Sequence, residues 1–318
     1  MKLSKIVGLL LGVVIVFLIV KSIGGNNLIN VLKNFNFLYL PLIIVALILD
    51  YVLGGLNTWI IVRGFKKISL FYLIKATFIT LVYAAFLPGK LADLLIIPFL
   101  KRKKLSLSQA TISIGLDKII SLLIRVLFGL FGAIFILKKF NFLFIGIPLM
   151  ALLITLFIIL FTHSKKIKEI IKHKLLKKYS FLFKGFSKNL KYYIKKNKKY
   201  LFYNVIITII KTFLEALLFF FLFLSLGQET NIITLFFIFS LLSIIMLLTF
   251  PIGISGIGVR EGIGILVFGL VGVNSAVVFN SFILRLILIY LINLVTIIIH
   301  REELNVLKET ALIKKFNS

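Results

Sequence analysis

The chain has 318 residues and a formal net charge of +28, from 38 Lys and Arg against 10 Asp and Glu. Hydrophobic residues make up 61% of it and charged residues 15%, whereas soluble domains are about 45–50% apolar and about 25% charged. These values exclude a soluble globular domain and a disordered chain. The long continuous apolar runs also exclude a transmembrane β-barrel, whose strands alternate apolar and polar residues. We therefore expect an all-α, polytopic membrane helix bundle.

Eight apolar segments are candidates for membrane crossing, which takes about 20 apolar residues in a helix. In chain order they are 6–20, 38–62, 70–87, 111–137, 140–162, 201–226, 232–250 and 274–299. The first has a basic start like a signal peptide, but no small-x-small cleavage site follows, so we expect it to be retained. Two shorter apolar pieces, 91–100 and 262–272, follow prolines and are too short to cross a bilayer.

The Lys and Arg residues of the short loops predict the orientation, because cytoplasmic loops carry more of them. We place the N-terminus in the cytoplasm and let the two short pieces fold back as re-entrant hairpins. The outer side then holds only Lys21, Lys33, Lys138 and Lys139. This arrangement gives a multi-pass protein of the cell membrane with six full crossings, two re-entrant hairpins and both termini in the cytoplasm.

Two stretches of the chain share the same order of features. Each has an apolar helix that ends at a proline, a glycine-containing break, a short helix that opens with charges, and a full span with a buried cation. Because the two copies enter from opposite faces in the predicted orientation, they predict an inverted repeat. The predicted units are 1–162, the N-terminal membrane repeat; 163–200, a basic amphipathic cytoplasmic linker; 201–300, the C-terminal inverted membrane repeat; and 301–318, a short cytoplasmic tail.

The two backbone breaks predict where a site lies. Broken backbone cannot face lipid, because its N–H and C=O groups would lack partners, so it lines a protein interior or a wet cavity. The residues of the two breaks are Pro88, Gly89, Pro251, Gly253, Gly256, Gly258 and Gly262. The short helices that follow begin near Leu91 and Glu261 and direct their positive dipole ends at the membrane middle. Lys90 and Arg260 stand at those ends and suit an anion such as phosphate.

Ionisable residues at membrane depth are candidates for binding, because they are costly there and usually face a bundle interior. Structural pairing is the alternative, and we favour it for Lys211 with Glu215 at i,i+4 spacing. Asp117 and Lys118 are adjacent in the helix and are expected to pair poorly. Complementing a helix dipole is the alternative role for the two acids at the hairpins. The candidate headgroup-binding residues are Lys90, Asp93, Asp117, Lys118, Arg125, Glu215, Arg260, Glu261 and Arg285, with Lys118, Arg125, Arg260 and Arg285 the strongest.

The linker 163–200 carries 14 Lys, with apolar residues between them at helical spacing. This pattern predicts one or two amphipathic helices that lie on anionic lipid of the inner leaflet. Nucleic acid binding is the rival explanation of the positive charge. We reject it because the excess follows the positive-inside pattern.

Enzyme chemistry has little support in the sequence. The chain has no Cys, which excludes thiolate metal ligands and Cys nucleophiles. His163, His173 and His300 lack the spacing of metal ligands, and there is no P-loop. We expect no metal, no cofactor and no catalytic activity.

The stretch PIGISGIGVREG from Pro251 to Gly262, followed by Gly272-Val273 and by Arg285 within a span, resembles the signature of the lysylphosphatidylglycerol synthase transmembrane family. This family includes the flippase half of the bacterial multiple peptide resistance factor. The pattern Leu87-Pro88-Gly89, then Asp93 and Asp117-Lys118, is similar to its N-terminal part. The resemblance covers nearly the whole chain and implies a membrane domain that binds or moves lipids. We expect no lysyl-lipid synthesis, because neither 163–200 nor 301–318 can hold the soluble aminoacyl-transferase domain.

These observations predict a lipid flippase that binds an anionic, phosphate-bearing headgroup between the hairpins and exposes it to each side in turn. Two alternatives stay open: a membrane glycosyltransferase acting on polyprenyl-phosphate sugars, and a scaffold that holds lipid without moving it. The glycosyltransferase is disfavoured because the outer side offers little acidic character beyond Glu229. The expected partners are membrane lipids, and a homo-oligomer or a lipid-modifying enzyme partner is left open.

Overall fold

A computed structural model describes residues 3–84, 93–136, 186–248 and 258–308, and every regular element in these ranges is helical. The predicted all-α membrane bundle is confirmed. The helices of the described ranges are α1 (Leu3–Ile23), α2 (Gly25–Lys33), α3 (Leu40–Arg63), α4 (Leu70–Ala84), α5 (Ile96–Arg102), α6 (Leu107–Phe131), α7 (Phe186–Lys196), α8 (Lys198–Ser225), α9 (Ile232–Leu248), α10 (Val259–Gly269), α11 (Ser275–Ile299) and α12 (Arg301–Lys308). A 3-10 turn precedes α3, and a π-helix over Gly132–Ile136 continues α6.

Three helices within the described ranges are long and apolar enough to cross a membrane: Phe37–Arg63, which contains α3, together with α8 and α11. The pair α1 and α2 meets the same criteria but is bent by 80°. A single residue, Gly24 (φ 86°), separates α1 from α2. The predicted span 140–162 lies outside the described residues.

The start of α6 follows from a capping box. The Ser106 hydroxyl accepts a hydrogen bond from the Gln109 backbone N–H (3.2 Å), and the Gln109 side chain accepts one from the Ser106 N–H (3.0 Å). Such reciprocal bonds satisfy two backbone donors at a helix start. The helix therefore begins at Leu107, four residues before the predicted span 111–137, and it carries Asp117, Lys118 and Arg125.

The first hairpin consists of α4 and α5, both too short to cross a membrane. The Tyr72 hydroxyl in the first turn of α4 donates a hydrogen bond to the Phe99 carbonyl in α5 (3.0 Å). The chain has therefore returned, by the end of α5, to the side from which α4 started. This agrees with the predicted re-entrant geometry. Residues 85–92, between the two helices, lie outside the described part.

The second hairpin consists of α9 and α10. Gln228 precedes α9 and Asn274 follows α10, and the Gln228 side chain accepts a hydrogen bond from the Asn274 N–H (3.4 Å). Both ends of this hairpin therefore lie on one side of the bundle. The predicted break residues 251–257 lie outside the described part, and Gly258 (φ 84°) directly precedes α10.

Helix α8 shows that the two hairpins enter from opposite sides. Its first end lies near the start of α4, because Asn197 donates a side-chain hydrogen bond to the Gly64 carbonyl (3.1 Å). Its last residue, Ser225, accepts a backbone hydrogen bond from Asn36 (2.7 Å), and the second hairpin starts just beyond it. A helix of this length separates its two ends by a membrane thickness. The hairpins are thus inverted with respect to each other.

Small residues let helices pack closely, as at Gly55 and Gly129. A Cβ on Gly55 of α3 would lie 2.8 Å from the Ile74 Cα in α4, and one on Gly129 of α6 would lie 3.0 Å from the Leu241 Cα in α9. Backbone cannot move aside as a side chain can, so these contacts depend on glycine. Phe219 in α8 is completely buried and stacks against Phe268 (5.9 Å between centroids). Phe219 therefore packs in the interior of the bundle, away from lipid.

The described end of the linker docks on the bundle. Helix α7 is amphipathic as predicted, but its apolar residues Leu190 and Tyr193 are buried against the protein. The Tyr193 hydroxyl donates a hydrogen bond to the Ile61 carbonyl (2.8 Å), and Asn189 donates one to the Ser108 hydroxyl (2.7 Å). This face of α7 therefore contacts α3 and α6, whereas the sequence predicted that it contacts lipid. Residues 163–185 of the linker lie outside the described part.

Candidate functional site

A polar cavity of about 440 Å³ lies between helices α3, α4, α6, α8, α9, α10 and α11. It is at membrane depth, because Lys211 lies halfway along α8 and Arg285 lies near the middle of α11. The cavity brings together seven of the nine predicted binding residues: Asp93, Asp117, Lys118, Arg125, Glu215, Arg260 and Arg285. Glu261 does not line it, and Lys90 lies outside the described residues.

Lys118 joins the first hairpin to α6. Its Nζ lies 3.0 Å from Asp93 Oδ2 and 3.6 Å from Asp117 Oδ2. Asp117, which was expected to pair poorly with its neighbour Lys118, lies at the longer of these two distances. Asp93, which is distant in the sequence, lies closer. Asp117 is buried and also accepts a hydrogen bond from Asn204 Nδ2 (3.1 Å). Two acids therefore share this lysine, which leaves little positive charge available here for a ligand.

A second group of charges links α3, α6 and α8. Lys211 Nζ lies 2.7 Å from Asp50 Oδ1 and 2.7 Å from Glu215 Oε1, so the predicted pairing of Lys211 with Glu215 is confirmed. Arg125 Nη2 contacts the same Glu215 oxygen at 2.7 Å, and its Nη1 donates to the Ser243 hydroxyl (3.1 Å). Arg125 is thus engaged within the protein, as is Glu215.

Arg260 and Glu261 form a local pair at the start of α10. Arg260 donates two hydrogen bonds, from Nε (3.1 Å) and Nη2 (2.7 Å), to Glu261 Oε1. The other carboxylate oxygen of Glu261 accepts the Gly258 N–H (2.5 Å), and the side chain is fully buried. The acid therefore caps the helix and holds Arg260. Gly262, predicted as part of the break, lies within α10.

Arg285 differs from the other cations of the cavity. Within the described ranges no hydrogen bond or ion pair joins it to another residue, and its Nε is buried without a partner. Its guanidinium lies 5.8 Å from the centroid of the Phe219 ring, which supplies an aromatic face but no anion. The neighbouring acids Asp50 and Glu215 are already bound to Lys211. Arg285 is therefore the cation that the described residues leave open to a ligand.

Uncharged polar residues of the site were missed in the sequence. Asn57 donates from Nδ2 to the Thr208 hydroxyl (3.1 Å), and Asn204 donates to the Asn57 carbonyl (3.1 Å). The sequence does contain a sign of them, since each is an Asn within an otherwise apolar span. A buried amide needs hydrogen-bond partners, so such an Asn indicates a polar contact inside the bundle. These bonds connect α3 to α8 beside the cavity.

A family model described as "Lysylphosphatidylglycerol synthase TM region" matches residues 5–296. The chain belongs to this family. The match contains every described residue that lines the cavity, and it supports a membrane protein of the flippase-like type. No curated protein and no solved structure matches the chain.

Proposed function

We propose that this member of the lysylphosphatidylglycerol synthase transmembrane-region family binds the anionic, phosphate-bearing headgroup of a membrane lipid in the cavity and moves that lipid between leaflets. The observation that carries the proposal is Arg285, a cation at membrane depth that forms no ion pair with any described carboxylate. A cation at membrane depth that lacks an ion pair is costly, so an anionic ligand would be stabilised beside it.

Arginine chemistry supports a phosphate as the ligand. A guanidinium presents a planar set of donors that matches two phosphate oxygens at once. The other four cations of the cavity each contact a carboxylate at 3.0 Å or less: Lys118, Arg125, Lys211 and Arg260. The described cavity therefore favours a single anionic group beside Arg285 over several.

The inverted hairpins supply a route for alternating exposure. Asp93, from the first hairpin, and Arg260, from the second, both line the cavity, and the two hairpins enter from opposite sides. Movement of either hairpin would open the cavity on its own side, as in transporters built from inverted repeats. We infer that the protein acts without a catalytic step.

The proposal is tested by lipid movement in proteoliposomes that contain the purified full chain. A fluorescent lipid with net negative charge is compared with one of net charge zero, and fluorescence accessible to an external quencher is followed in time. We expect faster exchange of the anionic lipid than in protein-free vesicles. Equal acceleration of both lipids, or no acceleration, would overturn the proposal, and headgroup binding without movement would identify a scaffold.

The proposed orientation is tested with single cysteines, which this Cys-free chain allows. Lys195 and Glu229 are exposed and lie beyond opposite ends of α8. We expect an impermeant thiol reagent added outside intact cells to label Cys at 229 but not at 195, because the positive charge favours the cytoplasm for residues 163–200. The reverse labelling would invert the topology, and lysed cells provide the control that both positions react.

A further inference from the structure

A second cavity, of about 430 Å³, lies between the α3–α4 loop and the α5–α6 loop. We call it the basic cradle, and its lining consists of Lys66, Lys67, Ile68, Ser69, Arg102, Lys103 and Lys104. It shares no lining residue with the central cavity. Five of its seven residues are cations and none is acidic.

The two loops are fixed by hydrogen bonds. Trp59 Nε1 donates to the Ile68 carbonyl (2.7 Å), which holds the α3–α4 loop against α3. On the other loop, Lys104 adopts a left-handed conformation (φ 59°), and its N–H donates to the Lys101 carbonyl (2.8 Å). Leu105 is buried directly after it. The cradle is therefore preformed and needs little ordering to bind a ligand.

The cations of the cradle lack anionic partners. Among the described residues, no ion pair involves any of the five. Lys103 Nζ lies 4.5 Å from the centroid of the Tyr72 ring, a contact that orients the lysine without neutralising it. Like charges brought together on fixed loops repel one another, and a multivalent anion would reverse that repulsion.

The position of the cradle favours lipid over a soluble anion. The helical stretch Phe37–Arg63 has 27 residues. At 1.5 Å per residue it is about 40 Å long, against about 30 Å of hydrocarbon. Its end therefore reaches the headgroup layer, and Lys66 and Lys67 follow within three or four residues. Lipid phosphates lie at this level.

We propose that the basic cradle binds a lipid headgroup that carries two phosphates, separately from the lipid moved through the central cavity. One phosphate contacts the cations before α4 and the other contacts those after α5. Such a lipid joins both ends of the first hairpin and anchors them at one level of the membrane surface. The proposal does not depend on transport through the central cavity.

The test measures thermal stabilisation of the detergent-purified full chain by added cardiolipin, with phosphatidylglycerol and inorganic pyrophosphate as the other probes. The variant combines Lys66→Gln, Lys67→Gln and Arg102→Gln, which are exposed side chains. The matched control combines Lys195→Gln, Lys198→Gln and Lys199→Gln, which removes the same charge elsewhere on this side. Each basic residue near anionic lipid adds to the free energy of binding. We therefore expect the cradle variant to need at least about tenfold more cardiolipin for the same stabilisation.

The outcomes separate the proposal from its rivals. Support requires that cardiolipin raises the unfolding temperature more than phosphatidylglycerol does at equal phosphate concentration. The same rise must be seen in the control variant. An equal loss in both variants would mean that only general charge attracts the lipid. Displacement of cardiolipin by pyrophosphate at equal concentration would assign the cradle to a soluble anion and overturn the proposal.

Discussion

Replacement of Arg285 by Ala is expected to abolish the selective movement of anionic lipid while the protein remains at least as stable as the wild type. Both effects follow because no described carboxylate forms an ion pair with Arg285. Its loss removes the group that would contact phosphate but leaves no acid without its cation. Removing a half-buried charge that has no ion pair also removes a desolvation cost.

Arg125→Ala is the contrasting variant. Arg125 contacts Glu215 at 2.7 Å, so its removal withdraws one of the two cations that hold this buried acid. Breaking a buried pair is destabilising by about 3–5 kcal/mol, reduced here because Lys211 remains in contact. The measurement is lipid exchange at equal reconstitution together with the unfolding temperature of each variant. Normal transport by Arg285→Ala would place the headgroup site elsewhere, and severe destabilisation of this variant would show that Arg285 has a structural role.

Arg285→Lys refines the same test. Lysine keeps the charge but offers a point donor in place of the planar guanidinium. We expect a transport rate between those of the wild type and Arg285→Ala, because lysine would hold the headgroup through only one phosphate oxygen. Full activity of the lysine variant would mean that charge alone is required, and activity as low as that of the alanine variant would mean that the geometry of the guanidinium is essential.

The sequence predicted the charged residues of the site better than it predicted their roles. Arg260 and Arg285 were equally strong candidates, because both are arginines in or beside the second hairpin. The structure separates them through Glu261, whose carboxylate holds Arg260 and caps α10 at the same time. A capping acid is recognisable only once the helix start is fixed at Val259. In the sequence, the same acid is equally consistent with ligand binding.

Contacts between distant segments were the least predictable part. Lys211 with Glu215 follows from the i,i+4 spacing of one helix, and the structure confirms it. Lys118 with Asp93, and Lys211 with Asp50, join different helices, and nothing in their sequence separation indicates the pairing. Likewise, Phe219 looks the same in the sequence as its half-buried neighbours Phe220 and Phe221, and only the packing of α8 against α9, α10 and α11 buries it completely.

The hairpins could be predicted because length and charge act together. Helices α4, α5 and α10 are too short to span a membrane. The four basic residues 101–104 also favour a return of the chain to its starting side, because positive charge favours the cytoplasm. The bonds Tyr72–Phe99 and Gln228–Asn274 agree with this in each half. Placing charges at membrane depth costs free energy unless they are paired. The stability of the fold should therefore depend most on the cation that has the shortest contacts with two buried acids.

Lys211 is that cation, and we expect Lys211→Met to destabilise the protein more than Arg125→Ala does. Its Nζ contacts Asp50 and Glu215, each at 2.7 Å, and both carboxylates are buried. Removing the lysine leaves Asp50 without a cation and Glu215 with Arg125 alone. The expected loss is about 3–5 kcal/mol in the free energy of unfolding.

The double variant Lys211→Met with Asp50→Asn decides whether the loss comes from the orphaned charge. The amide removes the charge of Asp50, while Glu215 keeps its contact with Arg125, so we expect most of the lost stability to return. Lys211→Arg, which retains a cation, serves as the packing control. Unfolding in mixed micelles at constant pH gives each free energy. A double variant no more stable than Lys211→Met would show that the lysine acts through its packing against α3, since its charge would then have no measurable part in holding the two helices together.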